Sequence, residues 1–146
     1  MNILFVCTGN TCRSPMAEAI AKSIFPEDKY NIMSAGLSVT ENEPASENAI
    51  LAAKKLGFDL KEHRATQITQ NLVKEADIIF AMTIGHKQAI ANAFNSLGVP
   101  VFTLAEYAGH GEEDIIDPYG CDLEIYEKCI TKLKQYITET ADIITK

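Results

Sequence analysis

The chain has 146 residues, the size of one ordinary domain, and this length is sufficient to bury a core without disulfide bonds. Its 13 Lys and Arg residues and 20 Asp and Glu residues give a formal charge of -7, which disfavours binding to nucleic acid or anionic lipid. No apolar run approaches the roughly 18 residues of a membrane span, and no export signal is visible. We therefore expect one domain over residues 1–146, cytoplasmic and monomeric, with no nucleic-acid or membrane partner.

Strands and helices alternate along the predicted chain. Short apolar runs predict strands at 2–7, 30–36, 77–83 and 100–104. Amphipathic runs predict helices at 14–25, 46–57, 68–76, 85–94 and 123–144. In the first helix Ser14 can serve as the cap, Pro15 suits the first turn and Pro26 ends the helix. This alternation predicts an α/β fold with a single doubly wound sheet of about four parallel strands and helices on both faces.

The segment VCTGNTCRSP, residues 6–15, joins the first strand to the first helix. Gly9 and Asn10 are suited to positive φ, so a tight loop is feasible after Cys7. The amides of such a loop, together with the following helix N-terminus, would form a concave anion site that fits a phosphate. Arg13 could bind two phosphate oxygens with its planar guanidinium.

Cys7 is the candidate nucleophile of this loop. The helix N-terminus, Arg13 and the Ser14 hydroxyl would each favour its thiolate form. The same spacing also occurs where a buried cysteine merely ends a strand, but the strand, the small-residue loop and the Ser-Pro pair together favour the catalytic interpretation. A Walker-type nucleotide loop is excluded because the Gly-Lys-Ser/Thr ending is absent.

A general acid is expected in EDIIDPYG, residues 113–120. The Asp-Pro turn can direct the Asp117 carboxyl, and Ile115 and Ile116 are expected to anchor the loop. The competing candidates are Glu112, Glu113 and Asp114, whose ordinary interpretation is a solvated acidic loop.

The four cysteines predict neither a disulfide framework nor a metal site. They are Cys7, Cys12, Cys121 and Cys129, and their spacing with His63, His86 and His110 matches no paired ligand pattern. We therefore expect no metal and no cofactor. A separate hypothesis is that oxidation joins Cys12 to Cys7 and so protects the thiolate. The remaining two cysteines are expected to be structural.

VCTGNTCRSPMAEA and DPYG resemble the low-molecular-weight protein tyrosine phosphatase family. The SAG at 34–36, the ADIIFAMT at 76–83 and the long final helix extend the likeness over the whole chain. Thr11, the HKQ at 86–88 and the VFTLAEY at 101–107 are similar, more narrowly, to the bacterial protein-arginine phosphatases.

This resemblance implies a metal-independent phosphatase acting on phosphorylated proteins through a phosphocysteine on Cys7. Arg13 would hold the phosphate, and Asp117 would act first as acid and then as base. Asn10 would maintain the loop and Ser14 would support the thiolate. The substrate- and phosphate-binding residues implied are Thr8, Gly9, Asn10, Thr11, Cys12, Arg13, Ser14 and Tyr119.

Thr11 bears on the choice of substrate. Tyrosine-specific members of the family typically have Ile at this position, whereas a hydroxyl suits the polar guanidino group of phosphoarginine. Tyr119 could form a pocket wall for either substrate, and Gly120 stands where tyrosine phosphatases often have a second aromatic residue. The sequence thus favours a protein-arginine phosphatase, with a tyrosine phosphatase as the alternative.

Two further alternatives belong to other functional classes. An arsenate reductase has a similar loop but needs resolving cysteines in the middle of the chain, and none lies between Cys12 and Cys121. A non-catalytic phosphate-binding module would retain Arg13 and the loop amides but would need neither nucleophile nor acid.

Overall fold

The computed structural model describes residues 1–146 and contains one four-stranded sheet. The strands are β1 (Asn2–Cys7), β2 (Asn31–Gly36), β3 (Ile78–Ala81) and β4 (Val101–Thr103). All are parallel, in the order β2-β1-β3-β4. Cys7 pairs in register with Gly36 at the carboxyl end of the two strands. Both ends lie at the edge of the sheet where ligands bind in folds of this class.

Six helices flank the sheet. They are α1 (Arg13–Ile24), α2 (Glu47–Lys55), α3 (Gln70–Glu75), α4 (Ile84–Ala93), α5 (Leu104–Tyr107) and α6 (Leu123–Ile144), with a 3-10 turn at Asn95–Leu97. The predicted fold class, a doubly wound parallel sheet covered on both faces, is confirmed. No helix is long and apolar enough to cross a membrane.

Successive residues of β1 face two different cores. Ile3, Phe5 and Cys7 belong to the core under α1, α2 and α6, whereas Leu4 and Val6 belong to the core under α3 and α4. Complete burial of a side chain such as Phe5 contributes about 2 to 3 kcal/mol. Burial on both faces therefore fixes the register of β1 and the position at which Cys7 leaves the sheet.

The fourth strand ends earlier than predicted. The apolar pattern extends the strand to Leu104, but the strand stops at Thr103 and Leu104 begins α5. Thr103 caps this helix through Oγ1, which accepts a hydrogen bond from the Glu106 amide at 3.0 Å, while Glu106 Oε2 accepts from the Thr103 amide at 2.7 Å. This reciprocal capping box outweighs the strand propensity of a single leucine.

Gly36 leaves no room for a side chain beside the loop that follows β1. A Cβ atom there would lie 2.5 Å from Val39 Cγ2, 2.6 Å from the Thr8 carbonyl oxygen and 3.0 Å from the Asn10 amide nitrogen. Two of these neighbours are backbone atoms, so relief requires the loop itself to move. The short distance from β2 to this loop thus depends on glycine.

We predict that Gly36→Ala lowers the free energy of unfolding by about 2 kcal/mol, because overpacking against backbone cannot relax cheaply. Urea denaturation measures the change. The matched control is Gly85→Ala in α4, where the nearest atom to a new Cβ is 3.7 Å away and a gain of about 0.5 kcal/mol is expected. A neutral Gly36→Ala variant would contradict the steric argument.

Candidate active site

Asn10 holds the loop between β1 and α1 in a tight curl. It is fully buried and adopts φ of 56°, in the left-handed region. Its Nδ2 donates hydrogen bonds to Ser14 Oγ at 2.7 Å and Ser34 Oγ at 3.0 Å, and its Oδ1 accepts from the Thr66 amide at 2.9 Å. Gly9 is also suited to positive φ but does not adopt it, because Asn10 supplies the left-handed residue of the loop.

In the curled loop most backbone carbonyls are hydrogen-bonded to the surrounding protein, whereas the backbone amides are not. The carbonyls of Cys7, Thr8 and Thr11 accept hydrogen bonds from residues outside the loop, at 2.9 to 3.0 Å. The Asn10 carbonyl contacts His63 Nε2 at 2.7 Å, a contact that the sequence did not predict. No backbone N–H of residues 8–12 donates a hydrogen bond within the protein. An arc of unpaired amides is the arrangement that binds an anion.

Ser14 lies beside the thiol of Cys7, with its Oγ 2.9 Å from Cys7 Sγ. Because Asn10 donates to Ser14 Oγ, the serine proton is free, and Cys7 is nearer than its other acceptor, the Ala35 carbonyl at 3.4 Å. Ser14 was predicted to cap α1, wrongly: the helix begins one residue earlier, and Cys12 occupies the cap position without a side-chain hydrogen bond. The serine hydroxyl instead lies where it could donate a hydrogen bond to the Cys7 sulfur.

Arg13 lines the cleft as a buried residue, only 4% exposed. Its Nη1 donates to the Ile115 carbonyl at 3.0 Å, and its Nη2 lies 3.4 Å from Asp117 Oδ2 and 3.5 Å from Thr8 Oγ1. Its Nε is buried without a hydrogen-bond partner. An unpaired buried guanidinium N–H is costly, and an anion bound in the loop would satisfy it.

Asp117 stands at the rim of the site with its side chain 48% exposed. Its Oδ1 accepts a hydrogen bond from the Tyr119 amide at 3.1 Å, which closes the Asp-Pro turn. Of the two isoleucines predicted to anchor this loop, Ile115 is buried and its amide donates to the Met82 carbonyl at 2.9 Å. Ile116 is 76% exposed, so it anchors nothing.

The three competing acids lie outside the cleft that Asp117 lines. Glu113 binds Lys132 and accepts from the Tyr136 hydroxyl at 2.8 Å, and the Lys132 hydrogen bond is the main cause that lowers the pKa of Glu113. Asp114 accepts from the Ile84 amide at 2.8 Å at the start of α4. Glu112 borders a separate depression near α5. Asp117 alone of the four remains a candidate acid.

The predicted residues converge on one cleft of about 230 Å³. Its lining includes Cys7, Thr8, Gly9, Thr11, Cys12, Arg13, Asp117 and Tyr119. Asn10 and Ser14 are buried beneath it. The sequence did not identify Ser38, Thr40 and Glu43, which complete the lining; the only signal for them is that they follow β2, the strand beside β1. A larger depression of about 590 Å³ lies around the first residues of β1 and β2, and no cysteine or histidine lines it.

His86 is a further residue that the sequence did not assign to the site. Its Nε2 lies 2.8 Å from Thr8 Oγ1, and its Nδ1 is buried without a partner. Burial and, secondly, the nearby Arg13 charge lower the pKa of His86 from 6.5 to about 4. The neutral ring can accept the Thr8 proton and leave the threonine oxygen free to accept from Arg13.

The other cysteines have distinct surroundings, and all four are free thiols. Cys12 is buried, with its Sγ 3.3 Å from Ser46 Oγ and 3.4 Å from the Tyr126 hydroxyl. Burial and, secondly, the hydrogen bond to Cys12 raise the pKa of Tyr126 to about 12. Burial likewise raises the pKa of Cys129 to about 12, which keeps this thiol protonated and unreactive. Cys121 is exposed. A disulfide between Cys7 and Cys12 stays a prediction.

The sequence profile described as "Low molecular weight phosphotyrosine protein phosphatase" matches residues 2–146. A protein-arginine-phosphatase from Bacillus subtilis (strain 168) is 39% identical, over 100% of this chain and 98% of the relative. The "Low molecular weight protein-tyrosine-phosphatase PtpB" of a Staphylococcus epidermidis strain is 42% identical, over 91% of each. A solved structure of a YwlE arginine phosphatase mutant with a phosphorylated active-site serine superposes with a TM-score of 0.94, at 38% identity, over 100% of this chain and 97% of that chain. These matches confirm the resemblance inferred from the sequence.

We predict that Ser14→Ala slows alkylation of Cys7 by iodoacetamide at neutral pH by about tenfold, because a hydrogen bond to the reacting sulfur is lost. Peptide mass mapping separates Cys7 from the exposed Cys121. The control is Ser23→Ala on the same helix, whose hydroxyl donates to the Ile20 carbonyl away from the site. An unchanged rate at Cys7 would show that Ser14 does not support the thiolate.

We also predict that the free energy of unfolding falls as the pH drops from about 6.5 to about 4, in part because of His86. Within that window the unfolded chain protonates His86 and the native protein does not, so proton binding favours unfolding. The His86 contribution is on the order of 2 kcal/mol. Urea denaturation at several pH values should show a shallower slope for His86→Gln, and equal slopes would exclude the buried neutral ring.

Proposed function

Since this chain belongs to the low molecular weight phosphotyrosine protein phosphatase family, we propose that it hydrolyses phosphoarginine on proteins through a phosphocysteine intermediate. One observation carries the proposal: the Cys7 thiol lies in a cleft where the loop amides and Arg13 Nε have no partners and where Asp117 stands at the rim. The site thus combines a nucleophile, an anion-binding arc and an acid.

Binding of the phosphoryl group is assigned to the loop and Arg13. The unpaired amides of residues 8–12 would donate to the phosphate oxygens, and Arg13 Nε would add a charged donor from below. Because Asn10 fixes the curl beforehand, these donors need no rearrangement when the charge spreads over the equatorial oxygens. Preorganised donors of this kind stabilise the transition state of phosphoryl transfer.

In the first step the Cys7 thiolate attacks phosphorus in line with the bond to the leaving group. A sulfur–phosphorus bond forms and the phosphorus–nitrogen bond breaks, while protonated Asp117 delivers its proton to the departing nitrogen. The Ser14 hydroxyl, 2.9 Å from the sulfur, holds the thiolate before attack. The partial exposure of Asp117 lets its carboxyl reach a leaving group at the cleft mouth.

In the second step the Asp117 carboxylate takes a proton from water, and the water oxygen attacks phosphocysteine. The sulfur leaves as a thiolate, stabilised again by Ser14, and orthophosphate is released. The phosphorylated active-site serine in the related YwlE mutant structure supports a covalent phosphoenzyme at the corresponding loop. No cofactor has a role in this sequence of steps.

The substrate assignment depends on the cleft wall. Thr11 lines the cleft, and a polar hydroxyl side chain offers less apolar contact to an aromatic leaving group than the Ile of tyrosine-specific members would. Tyr119 also lines it but is 71% exposed, so it provides little enclosure for a tyrosine ring. The arginine phosphatase of Bacillus subtilis matches the whole chain, in agreement with this preference. The 42% identity to a tyrosine phosphatase keeps phosphotyrosine as the second candidate substrate.

We further propose that the enzyme acts as a monomer on phosphorylated proteins in the cytoplasm. The cleft is open at the surface, with the exposed Ile116 and Tyr119 beside Asp117, so a side chain on a folded protein could enter it.

Orthophosphate release from sequence-matched phosphoarginine and phosphotyrosine peptides tests the function. We expect kcat/KM to favour phosphoarginine by at least about tenfold, and Thr11→Ile to shift the ratio toward phosphotyrosine by about tenfold, because it exchanges a polar contact for an apolar wall. Cys7→Ser is the inactive control. A wild-type preference for phosphotyrosine would overturn the substrate assignment and leave the two-step mechanism in place. Inactivity on both peptides would overturn the function.

A further inference from the structure

We propose that Glu43 is a specificity-determining residue whose carboxylate binds the cationic guanidinium of the phosphoarginine side chain. The inference rests on the proposed function and concerns the same cleft. Glu43 lines this cleft together with Cys7, Arg13 and Asp117.

The carboxylate of Glu43 has no partner within the protein. It makes no hydrogen bond and no ion pair, and Glu43 is an exposed residue of a cleft that also contains the buried Arg13. Glu43 is therefore available to a ligand that enters the cleft.

The backbone that carries Glu43 is fixed on both sides. The Glu43 carbonyl accepts a hydrogen bond from the Ala65 amide at 2.7 Å, and the Asn42 amide donates to the Ala65 carbonyl at 3.2 Å. Asn42 adopts φ of 65°, and Pro44 forms an isolated bridge with Arg64. A carboxylate on a fixed backbone loses less conformational entropy when it binds a cation than one on a mobile loop.

The charges of the cleft determine which substrates the Glu43 carboxylate would favour. Arg13 is the only cation among the lining residues, and Asp117 already lies 3.4 Å from it. A second carboxylate beside a phosphate site repels the phosphate, so Glu43 disfavours a substrate whose only charge is the phosphoryl group. Phosphotyrosine is such a substrate. Phosphoarginine carries a guanidinium directly on the phosphoryl group, and for that substrate the interaction becomes attractive.

The two carboxylates would contact different parts of the substrate. Asp117 is assigned to the nitrogen that leaves phosphorus, whereas Glu43 would accept hydrogen bonds from the remaining N–H groups of the guanidinium. Guanidinium N–H groups form a planar fork that matches a carboxylate. Glu43 thereby distinguishes a cationic leaving group from a neutral aromatic one without taking part in proton transfer.

The test is Glu43→Gln, which keeps the shape and removes the charge. We expect kcat/KM for the phosphoarginine peptide to fall about five- to tenfold, mainly through KM, because a charged hydrogen bond is replaced by a neutral one. For the phosphotyrosine peptide and p-nitrophenyl phosphate we expect no loss or a small gain. Glu27→Gln is the control, because it makes the same change in net charge at an exposed site among the residues lining the larger depression.

Inhibition of p-nitrophenyl phosphate hydrolysis by free phosphoarginine separates this inference from the proposed function. If the wild type binds phosphoarginine without hydrolysing it, the proposed function is overturned. Even then, a five- to tenfold higher inhibition constant in Glu43→Gln would support the contact between Glu43 and the guanidinium. Equal changes for both peptides, or an unchanged inhibition constant, would overturn the role of Glu43 even if the enzyme is an arginine phosphatase.

Discussion

The site depends on the hydrogen bonds of the buried Asn10 side chain. It connects the loop after β1 to Ser34 in β2, to Thr66 in the following segment and to Ser14 in α1. These three hydrogen bonds offset the cost of a left-handed backbone at a non-glycine residue. Without them the loop amides would be free to pair within the protein, and the anion-binding arc would close.

The sheet positions this loop through β1 and β2. Burial of β1 on both faces fixes where Cys7 leaves the sheet, and the absence of a side chain at Gly36 lets β2 approach the loop backbone. On the far side, the Ile115 amide binds the Met82 carbonyl just beyond β3, which brings the segment of Asp117 over Arg13. Cys7 and Asp117, far apart in sequence, therefore line one cleft at the carboxyl ends of the strands.

Sequence reasoning located the cleft where the residues are close in the chain. Cys7, Arg13 and the loop between them lie in one short segment, and the structure places them in one cleft. The roles assigned to them stay predictions. The contacts that tune the site join distant segments: His86 meets Thr8 across 78 positions, and Glu43 enters the cleft from the loop after β2. Periodicity carries no information about such pairs. Local rules also failed at Leu104, where capping outweighed strand propensity, and at Ser14, where the thiol replaced the cap.

The charges of the cleft explain how an acidic protein can bind a phosphate selectively. In the proposed mechanism, one buried arginine and a set of uncharged amides would supply the attraction, so affinity would not require a basic surface that would attract nucleic acid or anionic lipid. Amides would bind the phosphoryl group whatever it is attached to. Selection among substrates would then come from the other lining residues, which include Thr11 with its hydroxyl and the two acids Asp117 and Glu43. Under our proposal, these acids favour a phosphoryl group that is bonded to a cation.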